Sequence, residues 1–205
     1  MIGFALMSCM LMSTVNAESN DTSVKTIAVN DVGTLRVGGE LPSFNGLSSV
    51  GERVSSRTLI GNGQVLIVSY AATWCQPCRQ GIPIIERLVH KDNAVQAVYI
   101  TLDKESFKVQ RWASELGIQN PVIVDKFNAI AKRHGVVTDG SEKSTEIPLT
   151  IVVDARGVVT QILTTEGIDF EDTLLQAIES AKQLEVSTET KEQMEGVNES
   201  KMYRR

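Results

Sequence analysis

Val65-Leu66-Ile67-Val68-Ser69-Tyr70-Ala71-Ala72-Thr73-Trp74-Cys75-Gln76-Pro77-Cys78-Arg79 is the stretch that decides the fold. It opens on four consecutive apolar residues, Val65 to Val68, as in a strand buried on both faces. It ends on two cysteines two residues apart, where a helical pattern begins. From Gln76 to about His90, Ile82, Ile85, Leu88 and Val89 recur at helical spacing, and Pro83 is expected to kink that helix. A cysteine at a helix N-terminus sits among unpaired backbone N–H groups and the positive end of the helix dipole. That setting favours the thiolate, which is the nucleophile of disulfide exchange. The second cysteine lies one turn further on and can attack a mixed disulfide formed at the first. Cys75 and Cys78 are therefore read as a redox pair. The competing readings are a structural disulfide and half of a zinc site. A zinc site needs two more ligands, and the only histidines, His90 and His134, fall in separate predicted helices.

Working outward, Val95 to Leu102 reads as a second buried strand and Ser106 to Leu116 as a helix stopped by Gly117. Pro121 to Asp125 reads as a strand and Phe127 to His134 as a helix. Ile147 to Val153 reads as a strand that begins at a proline. Asp154 to Gly157 is a turn, and Val158 to Thr164 folds back as a hairpin. Phe170 to about Leu184 closes the pattern as an amphipathic helix. Upstream, Leu35–Val37 and Arg53–Ser55 are short strand-like pieces. Strands alternating with helices, followed by a hairpin and a last helix, predict an α/β sandwich: a mixed central sheet with helices on both faces. The crossovers make the early strands parallel and the final pair antiparallel.

The ends read differently. Residues 1–17 resemble a secretory signal peptide, with an apolar stretch from Ile2 to Met12 and small residues at Val15 and Ala17. Cys9 offers a second reading, a lipidated N-terminus that tethers the protein to a membrane. Residues 18–33 are expected to be a polar linker, 34–184 the folded domain, and 185–205 a disordered polar tail. Of three cysteines, Cys9 lies in the apolar leader, so a processed chain keeps only the pair. The 205 residues carry a formal charge of -5 and no basic run, which argues against nucleic acid as a partner.

The chain resembles the thioredoxin superfamily, and more narrowly the exported TlpA/ResA-type thiol-disulfide oxidoreductases. The likeness covers about residues 36–183. Its carriers are Ala72 to Arg79 with Pro83, Ile147-Pro148-Leu149-Thr150 running to Val153-Asp154-Ala155-Arg156-Gly157, and Leu41-Pro42-Ser43-Phe44 followed by Gly51 and Val54. The resemblance implies a thioredoxin-like sandwich with an N-terminal strand extension. It implies Cys75 as exposed nucleophile, Cys78 as shielded resolving thiol, and Pro148 as a cis-proline opposite the disulfide. Ile147 would present its backbone to a substrate strand, Trp74 would wall the site, and Pro77 completes the motif. Client proteins with disulfides, a membrane dithiol electron donor and a periplasmic or other extracytoplasmic location are implied as well. No bound cofactor or metal is needed. Relatives serve targets such as apocytochrome c, and no residue here selects among them.

Two departures from the family stand out. Relatives often carry a carboxylate three residues after the second cysteine, where this chain has Gly81. Thioredoxins place an aspartate six residues before the first cysteine, where this chain has Ser69. Glu86 is the remaining acid on the helix and the candidate proton acceptor for Cys78. Thr138 to Glu146 is a candidate partner-selecting loop. Two other functions fit the family less well: a peroxiredoxin-like thiol peroxidase, and a copper-binding assembly module with His134 as ligand.

Overall fold

The computed structural model describes residues 24–137 and 147–184. The expected signal peptide, the expected polar tail and the candidate partner-selecting segment 138–146 lie outside the described residues.

The apolar run becomes the centre of the sheet. Strand β6 (Val65–Ala71) is buried at every position. It pairs in parallel with β7 (Val95–Thr101) and antiparallel with β9 (Leu149–Val153). Further out, β8 (Val122–Val124) extends the parallel half, and β10 (Val159–Thr164) extends the antiparallel half. With β1 (Ile27–Val29) the order is β1-β10-β9-β6-β7-β8.

Period-two alternation along β6 splits its side chains between two cores. Val65, Ile67 and Ala71 face one core with Ile82, Ile85 and Leu88 of α2 (Gln76–Lys91) and Val109 and Trp112 of α3 (Ser106–Leu116). Phe170, Leu174 and Ile178 of helix α5 (170–184) complete that core. Leu66, Val68 and Tyr70 face the other core, with Ile130 and Ala131 of α4 (Ala129–His134) and Leu59 of α1 (Ser56–Ile60). Burying each such aliphatic side chain is worth about 1.5–3 kcal/mol relative to leaving it in water. Helices therefore cover both faces of a mixed sheet. Helix α3 ends as its sequence requires: Gly117 takes φ 67°, a left-handed cap that costs glycine no Cβ clash.

Residues 24–33, the described part of the expected linker 18–33, depart from that reading. From Ile27 the chain enters the sheet, and Ile27, Ala28 and Val29 pair with Thr164, Leu163 and Ile162. The hairpin β2 (Asp31–Val32) and β3 (Leu35–Arg36) follows, with Val32 and Leu35 buried. A second hairpin, β4 (Asn45–Leu47) and β5 (Arg53–Ser55), lies against β8 through the Ser48–Ile123 bridge. These strands are two or three residues long, and the partner of β1 lies more than 130 residues further along the chain.

Candidate active site

Strand β6 delivers the chain to the motif, and Asp103 fixes the turn that follows. Its Oδ2 accepts from the Thr73 amide at 2.9 Å and its Oδ1 from the Thr73 hydroxyl at 2.7 Å. The Cys75 amide donates to the Ala72 carbonyl at 3.0 Å, closing the turn. Asp103 is buried just after β7, so its two bonds tie the motif to the sheet. It is a positioning residue that the sequence reading missed.

Cys75 is the N-cap of α2. Its Sγ accepts from the Cys78 amide at 3.3 Å, and the two cysteines form a disulfide with their Cα atoms 5.4 Å apart. Pro77 sits in the first helical turn, where a missing N–H costs no intrahelical bond. The expectation of an exposed Cys75 needs correction. In the disulfide state Cys75 is 5% exposed and Cys78 1%, because both pack in the α2-side core. Trp74 is 65% exposed and stands out into solvent beside them.

The Ile147–Pro148 peptide is cis. Pro148 directly precedes Leu149, which pairs with Tyr70 at the end of β6 that leads into the motif. Ile147 and Pro148 thus come to the same end of the sheet as Cys75. Ile147 is half-buried and packs against both cores.

Glu86 is not placed to serve Cys78. Its Oε1 accepts from the Tyr99 hydroxyl at 2.8 Å and the Asn120 side-chain Nδ2 at 2.9 Å, and its Oε2 accepts from the Gln119 backbone N–H at 2.9 Å. It lies eight residues beyond Cys78, about 12 Å along the helix axis. Its carboxylate pins α2 to the loop before β8. Arg79 is likewise engaged, with Glu115 of α3 at 3.2 Å.

His134 ends α4, as the sequence suggested, but it is not the cation that would suit the helix dipole. Burial holds its pKa down at about 4, and its Nδ1 shares a 2.6 Å hydrogen bond with the Tyr70 hydroxyl. It lies in the core on the sheet face away from the disulfide, which separates it from Cys75 and Cys78.

Besides Asp103, an acid at this end of the sheet is Glu166, in the loop between β10 and α5. Its Oε1 accepts from the Thr150 hydroxyl at 3.1 Å. The residue is half-buried, but Oε2 is sealed from solvent and has no hydrogen-bond partner among the described residues. Burial raises the Glu166 pKa to about 8, against the lowering pull of the Thr150 bond. The Glu166 carboxylate fills the space over Gly81: a Cβ built there would collide with Oε2. The preceding residue, Thr165, holds φ 67°. For a β-branched residue that conformation costs about 1–3 kcal/mol and persists only where the surroundings enforce it. No motif in the sequence announces Glu166, because its partners lie on β9 and α2.

The Redoxin family profile matches residues 36–176. The thiol-disulfide oxidoreductase ResA of Bacillus thuringiensis (strain Al Hakam) is 26% identical over 132 residues, spanning 63% of this chain and 70% of that protein. The thioredoxin-like protein YneN of Bacillus subtilis (strain 168) is 27% identical over 142 residues, spanning 67% of this chain and 76% of YneN. Among solved structures, a thiol:disulfide interchange protein of the thioredoxin family from Chlorobium tepidum TLS superposes with a TM-score of 0.55 at 28% identity. It spans 69% of this chain and 97% of that one. With a cysteine pair at the N-terminus of α2 and this match over most of its length, the chain belongs to the Redoxin family, as a thiol-disulfide oxidoreductase of thioredoxin-like fold.

Proposed function

We propose that the protein is an exported reductase of disulfides in client proteins. The observation that carries this reading is the Cys75–Cys78 disulfide with Cys75 as N-cap of α2. Once reduced, Cys75 faces the free N–H groups of the first helical turn, which favour its thiolate. That thiolate attacks one sulfur of a client disulfide. A Cys75–client bond forms, the client S–S bond breaks, and the other client sulfur leaves and takes up a proton. Cys78 then loses its proton and attacks Cys75 Sγ. The Cys75–Cys78 bond forms, and the second client sulfur leaves as a thiol. Two electrons and two protons have passed to the client. A membrane dithiol donor restores the pair by the reverse exchange. Ile147, at the same end of the sheet as Cys75, offers main chain to an extended client segment, and Trp74 offers an exposed apolar face at that end.

The apolar stretch from Ile2 to Met12 supports export to the periplasm or another extracytoplasmic space, with tethering through an uncleaved or lipidated N-terminus as the variant form. In such oxidising compartments a reductase acts on selected clients against the prevailing chemistry. The test is reduction of insulin disulfides by the protein with a dithiol donor. Wild type accelerates precipitation of the insulin chains and Cys75→Ser does not. Equal rates with both proteins would overturn the reading.

A further inference from the structure

The mechanism above leaves Cys78 without a proton acceptor. Gly81 and Ser69 stand where related proteins carry acids, and Glu86 is bound to Tyr99, Gln119 and Asn120. We propose that Glu166 is the proton carrier for Cys78, reaching it from the β10–α5 loop through the space that Gly81 leaves open beside α2.

Four observations support this assignment. The first is position. Gly81 lies one turn after Cys78, and neighbouring Cβ sites at that spacing are about 5–6 Å apart. Glu166 Oε2 occupies the Cβ site of residue 81, which places it on the order of 5–6 Å from the Cys78 Cβ. The second is orientation. Thr150, which holds Oε1, pairs with Ser69 across β9 and β6, on the sheet face that carries the cysteines. The third is the unpaired, sealed Oε2, which aims an acceptor at α2. The fourth is enforcement. The Gly167 amide donates to Thr26 Oγ1 at 3.0 Å, the Ile168 amide to the Val24 carbonyl at 3.0 Å, and the Thr26 amide to Asp169 Oδ1 at 2.7 Å. A side chain at Gly167 would collide with the backbone of residues 24–26. The segment before β1 therefore clamps this loop, and Thr165 is held in its strained conformation beside the carboxyl. A surface cleft of about 280 Å³, lined in part by Gln80, Gly81, Ile84 and Glu166, lies beside this site.

The other ionisable groups around Glu166 are committed. Tyr99 of β7 is held well above its ordinary pKa by burial and by Glu86. Asp169 is held low by the Thr26 amide, and Lys25 lies in the clamping segment. Glu166 and Cys78 remain to exchange a proton. With a pKa of about 8, Glu166 is protonated near neutral pH while the disulfide is closed. When a donor thiolate attacks Cys75, the Cys75–Cys78 bond breaks and Cys78 leaves as a thiolate. It takes the Glu166 proton. When the disulfide closes, the Glu166 carboxylate takes the Cys78 proton back.

This inference rests on the redox role of the pair, which the Cys75→Ser control tests separately. The experiment follows opening of the disulfide by dithiothreitol, with rates divided by the dithiothreitol thiolate concentration, from pH 5 to 10. Wild type is expected to show a bend near pH 8, with the normalised rate falling above it. Glu166→Gln keeps the volume and the Thr150 bond. It is expected to lose the bend and to open about 100-fold more slowly at pH 7, the low end for general acid catalysis. Glu166→Gln with the wild-type rate and bend, or slower with the bend retained, would overturn the assignment. In a folded Gly81→Glu/Glu166→Ala protein the carboxyl comes from the helix instead. Its rate is expected within tenfold of wild type, and a rate no better than Glu166→Ala would count against the proposal. The unsubstituted protein gives an independent reading by carbon NMR. The Glu166 carboxyl titration moves when the disulfide is reduced, and identical titrations in both states would refute the coupling.

Discussion

Glu166→Gln should change the pH dependence of folding stability, and the size of the change follows from one buried carboxyl. An ordinary glutamate ionises at 4.5, whereas burial holds Glu166 at about 8 in the folded oxidised protein. The folded chain keeps this proton to a higher pH than the unfolded chain does. The contribution of Glu166 to stability is therefore full below pH 4.5 and is lost as the pH rises through about 8. Each pH unit in that window is worth about 1.4 kcal/mol, so the whole window is worth at most about 5 kcal/mol. The residue is half-buried, and water penetration trims this to about 3–5 kcal/mol. Glutamine does not ionise and still accepts the Thr150 hydroxyl. Its buried, unpaired amide costs about 1–3 kcal/mol, equally at all pH values. The variant should thus be less stable than wild type at pH 4 and gain on it steadily, overtaking it between about pH 5 and 8. Urea unfolding of both oxidised proteins from pH 4 to 9 measures this, with the buried Trp112 as fluorescent probe. Two stability curves that stay parallel within about 1 kcal/mol would show that Glu166 does not keep its proton to a higher pH in the folded protein.

Three further outcomes follow from other polar groups. His134 is neutral in the folded protein because burial depresses its pKa to about 4. Its contribution is full above pH 6.5 and is lost as the pH falls toward 4, by about 3 kcal/mol at most. An imidazole NMR titration should find its midpoint near 4, and a midpoint near 6.5 would contradict the burial. Asp125→Ala removes the carboxylate that accepts from the Ala129, Ile130 and Ala131 amides at 2.8–2.9 Å. The loss of about 2–3 kcal/mol should lower the melting temperature by about 4–10 °C, and no change would show that α4 is capped without it. Asp103→Ala frees the Thr73 turn. It should cost about 1–3 kcal/mol and slow insulin reduction, whereas an unchanged rate would show that the turn holds its shape without this anchor.

The sandwich is legible in the chain because its central elements obey simple periodicities. Val65–Val68 is apolar throughout and forms the strand buried on both faces, and Gly117 stops α3 where a left-handed cap is needed. The cysteine pair is legible because helix N-termini and thiolate chemistry are both local. What escapes the sequence is long-range. Ile27–Val29 is too short and polar in context to signal a strand, and it becomes one only because β10 leaves an edge to pair with. Glu86 looked available because the sequence does not show Tyr99, Gln119 and Asn120 closing around it. Gly81 looked like a lost acid. In the fold it is an opening, and a residue 85 positions further along fills it.

Trapping the mixed disulfide distinguishes the attacking thiol, Cys75, from the resolving thiol, Cys78. Cys78→Ser protein, reduced and then exposed to a disulfide-bonded client, should accumulate a mixed disulfide that mass spectrometry maps to Cys75. Cys75→Ser under the same conditions should accumulate none. Trapping at Cys78 in the Cys75→Ser protein, with none at Cys75 in the Cys78→Ser protein, would reverse the roles and contradict the account.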